Sequence, residues 1–213
     1  MIICWNTTQA CNIRCLHCYR DAGLKRTDEL DTNEGKQLLK SVAAAGFKIM
    51  IFSGGEPLLR PDIYELVSYA AAVGLKPVIG TNGLLLAGDV AQRLRRAGLV
   101  RAGISLDSVD QKKHDWFRQL DGAWEQTIRG TEACRRAGLP FQIHSTVMDW
   151  NQKEITAITD LAVKLGAAAH HIFFLVPAGR GKNIAETSLR TEEYETLLNA
   201  LISKQALVPI ELK

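Results

Sequence analysis

The fold of this chain is most clearly indicated by the stretch Ile49-Met50-Ile51-Phe52-Ser53-Gly54-Gly55-Glu56-Pro57. Its first four residues are all apolar, so a strand formed by them would be buried on both faces, as in a parallel sheet covered by helices. A glycine-rich turn with a carboxylate follows directly, and Pro61 then suits the first turn of a helix. The stretch therefore predicts one βα unit with polar groups at the carboxyl end of its strand.

The same alternation of strands and helices is predicted along the rest of the chain. Strands are expected at Ile2–Thr7, Phe47–Phe52, Lys76–Gly80, Arg101–Ser105, Phe141–Met148 and His170–Val176, and a seventh could begin in Leu207–Leu212. Helices are expected at about Thr32–Ala45, from Pro61 to Gly74, before Gly98, and at about Trp124–Ala137, Lys153–Leu165 and Thr191–Lys204. Residues Val109–Gly122 are expected to be a long connection. Strands joined in this way form a parallel sheet, so the predicted fold class is α/β.

The positions of the unusual motifs favour a barrel over a doubly wound sheet. Motifs follow five of the predicted strands: a cysteine-rich loop after the first, then Gly54–Pro57, Thr81–Gly83, Ser105–Ser108 and Pro177–Gly181. In a parallel barrel the carboxyl ends of all strands share one face, where active sites are built. We therefore expect a partial (β/α)6 TIM-like barrel with one site on that face.

Composition limits the kind of protein and its surroundings. The chain has 213 residues, of which 46% are hydrophobic and 23% charged, with a net charge of +3. These values are typical of a globular domain, and the small charge does not favour nucleic acid as a partner. No apolar run approaches the ~20 residues of a membrane span, and the start lacks the pattern of a signal peptide. Five cysteines, three of them clustered, argue against disulfides and for a reducing, cytoplasmic location.

The cysteine-rich loop predicts a metal site. Cys11, Cys15 and Cys18 have the spacing CxxxCxxC, and three thiolates so close together suit a soft metal centre. An iron–sulfur cubane takes one cysteine per iron, so three would leave one iron free to bind a ligand. A zinc site completed by His17 or a distant residue and plain structural thiols are the alternatives, but no second pair of zinc ligands exists.

Three further motifs are candidates for ligand binding. Glu56 at a strand end could accept a hydrogen bond from a ligand ammonium group, while Gly54 and Gly55 leave room for it. Ser105 and Asp107 flank one residue and so point to the same side, where they suit a carboxylate or a ribose. The turn that contains Asn82 is as typical of a structural turn as of a ligand-facing one.

Basic residues near the same face are candidates for substrate contact. Arg180 lies between two glycines after the sixth strand, and Arg20 lies next to the cysteine loop; an arginine fork matches carboxylates. His144 in the fifth strand suits either a substrate contact or a hydrogen-bonded core histidine. His170 and His171 fall at the opposite end of a strand and are expected to be structural.

The order of CxxxCxxC, Gly-Gly-Glu-Pro and Ser-Leu-Asp after parallel strands resembles the radical S-adenosylmethionine (SAM) superfamily, over essentially residues 1–205. The resemblance implies that Cys11, Cys15 and Cys18 bind a 4Fe–4S cluster whose open iron chelates the methionine part of SAM. One electron from the cluster would cleave SAM to a 5′-deoxyadenosyl radical that abstracts a substrate hydrogen, and flavodoxin or ferredoxin would supply the electron. The SAM contacts implied are His17, Gly54, Gly55, Glu56, Asn82, Ser105, Asp107 and Val176.

A closer resemblance lies in Trp5–Thr8, Leu16–Gly23 and His170–Gly181. These stretches are similar to radical SAM proteins of heme d1 synthesis and of the alternative, siroheme-dependent heme pathway. That resemblance implies a tetrapyrrole substrate whose side chains are oxidatively decarboxylated or removed, with Arg20, His144 and Arg180 as contacts. Peptide maturases of the mycofactocin type share much of the pattern. A non-catalytic iron–sulfur scaffold is the alternative of another class.

The same relatives imply a domain boundary near the end of the chain. Residues 1–206 are expected to form the core barrel, and residues 207–213 to lead into a C-terminal auxiliary region that is missing here. In the relatives that region holds cysteines for a second iron–sulfur cluster, whereas no cysteine follows Cys134 in this chain.

Overall fold

The computed structural model describes residues 1–213 as one parallel sheet whose strands alternate with helices. Strands β1 to β7 are Ile2–Thr8, Ile49–Gly54, Lys76–Thr81, Arg101–Ser105, Phe141–Val147, Ala169–Phe174 and Glu211–Leu212. Helices α1 to α7 are Thr32–Ala44, Ile63–Ala72, Val90–Arg96, Gln111–Arg118, Ala123–Ala137, Ile155–Leu165 and Thr191–Gln205. Short 3-10 helices occupy Pro57–Leu59, Gln152–Glu154 and Gly179–Thr187.

The sheet is an open, partial barrel. Its seven strands follow one another in chain order, and every neighbouring pair is parallel. Residues from six strands, including Cys4 of β1 and Phe173 of β6, line a single cavity, so the sheet curves around it. Because β1 and β7 are not paired with each other, the barrel is open on one side. The predicted α/β fold is confirmed, and β7 lies within Leu207–Leu212, where a possible seventh strand is predicted.

The main core lies between the outer face of the sheet and the helices. Met50 and Phe52 of β2 and Ile104 of β4 are fully buried there, packed with Leu66 of α2 and Leu94 of α3. The alternate residues of β2, such as Ile51, face the cavity instead. Both faces of the strand therefore carry apolar side chains, as the sequence pattern predicts. None of the helices combines the length and the apolar character that crossing a bilayer requires.

Several element boundaries differ from those predicted. The connection predicted at 109–122 contains α4, whose first turn is capped by the Asp110 carboxylate accepting from the Lys113 N–H at 2.9 Å. That helix is mostly polar, so it has little apolar periodicity to predict it. Strand β2 continues to Gly54 and thus takes the glycine motif into the sheet, whereas β6 ends at Phe174, two residues before Val176.

The core makes a direct prediction about stability. Truncating Ile104, which is 0% exposed in the central strand β4, to alanine is expected to reduce the free energy of unfolding by about 2–5 kcal/mol, because the cavity left behind cannot fully collapse. Urea unfolding followed by circular dichroism measures this. The control Val100→Ala, at a 42% exposed site, should change the value by no more than about 0.5 kcal/mol; equal effects of the two variants would contradict the core assignment.

Candidate functional site

A cavity of about 580 Å³ lies at the carboxyl ends of the strands, at the face predicted to hold the site. Most of the residues singled out in the sequence line it: Cys11, Cys15, Cys18, His17, Gly54, Gly55, Asn82, Ser105, His144, Val176 and Arg180. Glu56, Asp107 and Arg20 are not among the lining residues. The structure thus brings one set of motifs together and places the others behind it.

The cysteine loop forms one wall of this cavity. The Cys18 N–H donates to the Cys15 carbonyl at 3.3 Å, and the Cys18 sulfur accepts from the Ala22 N–H at 3.4 Å. Burial raises the pKa of Cys11 to about 11 and also raises that of Cys15, so a bound cation is needed to hold them as thiolates. No three His, Cys, Asp or Glu side chains surround a point that could hold a single metal ion. A cubane cluster binds each cysteine through a separate iron, so the three sulfurs need not converge on one point.

The two glycines of the Gly-Gly-Glu motif allow a close approach between two stretches of backbone. A Cβ on Gly54, whose φ is +135°, would lie 2.4 Å from the Thr8 carbonyl oxygen, and one on Gly55 would lie 2.1 Å from that of Ala10. The Gly55 and Glu56 N–H groups donate to these same two oxygens at 2.7 Å each. The glycines therefore let β2 end directly against the chain that enters the cysteine loop, in addition to lining the cavity.

The Glu56 carboxylate is held by hydrogen bonds within the protein, and its expected contact with a ligand ammonium group stays a prediction. The side chain is 0% exposed. It accepts from the Thr81 hydroxyl and the Asn82 N–H, each at 2.8 Å, and from the Leu58 N–H at 3.2 Å. Its oxygens are thus used to hold the end of β3, where Asn82 lines the cavity.

Asp107 is likewise internal rather than exposed to a ligand. It is 0% exposed and forms a 2.5 Å ion pair with Arg118, while its other oxygen accepts from the Thr146 N–H at 2.8 Å. Arg118 lines the cavity and reaches the Cys15 sulfur at 3.6 Å. Sequence reasoning did not single out Arg118; the only local signal was a basic residue after the Ser-Leu-Asp motif. Ser105 does line the cavity, as predicted.

Arg180 lines the cavity and binds the cysteine loop, and its contact with a substrate stays a prediction. Its Nε donates to the Cys15 carbonyl at 3.0 Å, and its Nη1 donates to the Ala22 carbonyl at 2.7 Å and to the Asp21 carboxylate at 3.0 Å. Its own backbone N–H donates to the Cys18 carbonyl at 2.9 Å. The segment after β6 therefore clamps the cysteine loop through four hydrogen bonds.

His17 has a ring nitrogen that lacks a partner. Its ring stacks on Phe117 with centroids 4.4 Å apart, and its buried Nδ1 makes no hydrogen bond. Burial lowers the pKa of His17 well below its usual value, so the imidazole is neutral. A buried, unsatisfied nitrogen beside the cysteines fits a site shaped for a bound group. Val176, at 64% exposure, lies at the rim of the same cavity.

The remaining predicted residues divide between the cavity and the scaffold. His144 lines the cavity and contacts the Gln142 side chain at 2.7 Å. Arg20 is not among the lining residues, and its Nε is buried and unpartnered. His170 is fully buried and bonded to Thr159 and Ser145, each at 2.9 Å, which confirms its structural role.

Three cysteines in one loop, on the rim of an open parallel barrel, are the features expected of a protein that binds an iron–sulfur cluster beside a cavity. Residues 5–162 match the family model described as the radical SAM superfamily. Since this match covers more than half of the chain, the chain belongs to the radical SAM superfamily. Membership implies a 4Fe–4S cluster and S-adenosylmethionine as cofactors.

Two curated relatives match over nearly the whole chain. AdoMet-dependent heme synthase of Methanosarcina barkeri is 43% identical over 100% of this chain and 60% of its own length. Mycofactocin maturase MftC of Mycobacterium tuberculosis is 31% identical over 94% of this chain and 51% of its own length. The chain therefore spans only about half to three fifths of the length of these relatives.

A solved structure shows that the fold is shared more widely. Streptococcus suis SuiB bound to S-adenosylmethionine superposes with a TM-score of 0.82 over 100% of this chain and 49% of that chain, at 14% identity. At this identity the likeness establishes the fold alone.

The clamp formed by Arg180 can be tested through the mobility of the loop. Arg180→Gln is expected to speed amide hydrogen exchange in residues 11–22 and to lower the iron and sulfide bound after reconstitution, because three loop contacts are lost. Hydrogen-exchange mass spectrometry measures the first effect. Arg190→Gln, at a site whose side chain is 79% exposed, is the matched control. Unchanged exchange in the Arg180 variant would contradict the clamp.

The buried Glu56 predicts a pH dependence of stability. Burial raises its pKa from 4.5 to about 7, so between these values the folded state holds a proton that the unfolded chain has released. The free energy of unfolding should therefore fall as the pH rises through this window, by up to about 3 kcal/mol.

This dependence is measured by urea unfolding of wild type and Glu56→Gln at several pH values between about 5 and about 8. The variant is less stable throughout, because its amide replaces an acceptor with a donor, but it should lack this part of the pH slope. Parallel slopes for the two proteins would show that Glu56 stays ionised.

Proposed function

We propose that the protein is a radical SAM enzyme that modifies the side chains of a tetrapyrrole in heme or heme d1 biosynthesis, by oxidative decarboxylation or by side-chain loss. The observation that carries the proposal is the 43% identity to an AdoMet-dependent heme synthase along the full chain. Further support comes from a cavity that joins the cysteine loop to a wall suited to a carboxylated ring.

In this proposal the residues on the cavity wall hold the cofactors. Cys11, Cys15 and Cys18 bind the 4Fe–4S cluster, and the residues that contact SAM are His17, Gly54, Gly55, Asn82, Ser105 and Val176. Glu56 and Asp107 act one layer behind, through Asn82 and Arg118. When bound, cluster and SAM together supply hydrogen-atom abstraction by a carbon radical.

The cavity lining suits a large, flat, partly apolar substrate. It includes the apolar side chains of Ile51, Phe173 and Leu175 and the polar groups of Thr146 and His144. The ring of His144 lies 5.3 Å from that of Phe173, centroid to centroid, and burial lowers the His144 pKa to about 3. A neutral imidazole among aromatic rings can contact a macrocycle without repelling the metal ion at its centre. The unpaired edges of the sheet leave a side from which a ring that size can enter.

Arg20 is the residue best placed to meet a substrate carboxylate. Its Nε is buried and unpartnered, and its Nη2 makes only a long, 3.3 Å bond to Gln9. Burial raises the pKa of Cys4 and Tyr19, and the Arg20 charge opposes both shifts, so the guanidinium lies near these two cavity-lining side chains. A carboxylate arm that entered between Cys4 and Tyr19 would give Arg20 its missing partner.

Two parts of the proposal concern groups outside the chain. A ferredoxin or flavodoxin is the proposed electron donor. A second iron–sulfur cluster is proposed in a C-terminal region that follows residues 207–213 in the longer protein. The two-residue strand β7 leaves an unpaired sheet edge there, to which further chain could add. Cysteines encoded beyond Lys213 would support this cluster, and a reading frame without them would exclude it.

The function is tested by turnover under anaerobic conditions. Protein reconstituted with iron and sulfide is incubated with SAM, dithionite and Fe-coproporphyrin III, and the products are separated by liquid chromatography with mass spectrometry. We expect 5′-deoxyadenosine and a tetrapyrrole that has lost mass from its propionate arms. Release of 5′-deoxyadenosine without any change in Fe-coproporphyrin III or in a siroheme derivative would contradict the tetrapyrrole substrate.

A peptide maturase of the mycofactocin type is the second candidate, favoured by the 31% identity to that maturase. It predicts turnover only with a precursor peptide, which would be encoded near this protein. A non-catalytic iron–sulfur scaffold is the third, and it predicts no 5′-deoxyadenosine with either substrate.

The Arg20 anchor makes a quantitative prediction. Arg20→Gln should weaken binding of Fe-coproporphyrin III by about 10–100-fold, the range expected for loss of one charge-assisted contact. Fluorescence or absorbance titration measures the dissociation constant. Lys25→Gln, at an exposed site on the same loop, is the matched control; equal affinities of wild type and the Arg20 variant would remove Arg20 from the substrate site.

A further inference from the structure

Arg118 is the last residue of α4. Its side chain is buried, with 6% exposure for the residue, and its Nη1 lies 3.6 Å from the Cys15 sulfur. A buried guanidinium is costly unless it is paired, and Arg118 is paired with the Asp107 carboxylate. Neither the predicted cofactor contacts nor the predicted substrate contacts include this residue.

The guanidinium is held in place from the side opposite to Cys15. Its Nε and Nη2 donate to one oxygen of Asp107, at 2.7 and 2.5 Å. The other Asp107 oxygen accepts from the backbone N–H of Thr146 in β5, and the Asp107 carbonyl accepts from the buried Asn151 amide at 2.9 Å. Because β4 and β5 fix the carboxylate, Arg118 cannot turn away from the sulfur without leaving Asp107 unpaired.

We propose that Arg118 is a positioning residue that raises the reduction potential of the cluster bound at the cysteine loop, through its charge and its N–H donated to the Cys15 sulfur, and that Asp107 holds it there. The proposal rests on the cluster implied by the radical SAM superfamily and not on the identity of the substrate.

The physical reason lies in the charge of the two oxidation states. Taking up one electron from the donor makes the cluster and its thiolates more negative by one unit. A hydrogen bond to a ligand sulfur and a nearby positive charge both favour that more negative state. Since Arg118 is buried, solvent and salt screen its charge much less than they would at the surface. The Asp107 carboxylate offsets part of the charge, but it lies on the far side of the guanidinium.

The experiment is a redox titration of the reconstituted full protein without SAM, in which the reduced cluster is quantified by EPR. Arg118→Met should shift the midpoint potential to a more negative value. Arg118→Lys retains a positive charge but loses the planar guanidinium, so its midpoint potential should lie between those of Arg118→Met and wild type. Arg14→Gln removes the same charge from an exposed side chain next to Cys15 in sequence and should leave the potential unchanged.

A second variant covers the case in which Arg118→Met fails to bind a cluster. Asp107→Asn keeps an oxygen acceptor for Arg118 but removes the negative charge, so its potential should rise above that of wild type. A loaded Arg118→Met or Asp107→Asn protein with the wild-type potential would overturn the proposal. A wild-type potential together with weakened SAM binding would instead assign Arg118 to the SAM carboxylate. Either result leaves the tetrapyrrole proposal untouched, because no substrate is present.

Discussion

The site depends on the close contact between the Gly54–Gly55 backbone and the chain at Thr8 and Ala10. Any side chain at these two positions would overlap a carbonyl oxygen, with Cβ distances of 2.4 and 2.1 Å. The contact ties the carboxyl end of β2 to the start of the cysteine loop through two hydrogen bonds of 2.7 Å. The contact therefore fixes the position and direction in which the cysteine loop leaves the end of β1. The position of Cys11 relative to the rest of the cavity depends on this contact.

The loop is then held by residues far away in sequence. Arg180 contacts it from the segment after β6, Arg118 contacts Cys15 from α4, and the Phe117 carbonyl accepts from the Leu16 N–H at 3.0 Å. These polar groups form their hydrogen bonds within the protein. Buried side-chain nitrogens of His17 and Arg20 still lack partners, and a bound group would complete their hydrogen bonding. The polar residues of the site thus form an inner layer that faces the cavity and an outer layer that positions it.

Local patterns are sufficient to predict the strands, the shared face and most of the residues that line the cavity, but not Arg118. A strand such as β4 has the predicted bounds because periodicity and the flanking glycine are local, and the cysteine spacing needs no tertiary information. The outer layer could not be predicted in this way. Glu56 and Asp107 sit at strand ends, where twist decides whether a side chain faces the cavity or a neighbouring strand. The contact between Arg118 and Cys15 joins residues 103 positions apart, so only the folded chain reveals it.

The central claim is that the cysteine loop and the cavity beside it form one site for a cluster and SAM. It is tested most directly by EPR of the anaerobically reduced, reconstituted protein before and after SAM is added. The account predicts a changed spectrum with SAM, because the amino and carboxylate groups of SAM would bind the iron that lacks a cysteine. A spectrum identical with and without saturating SAM, in a protein with a full complement of cluster, would contradict it.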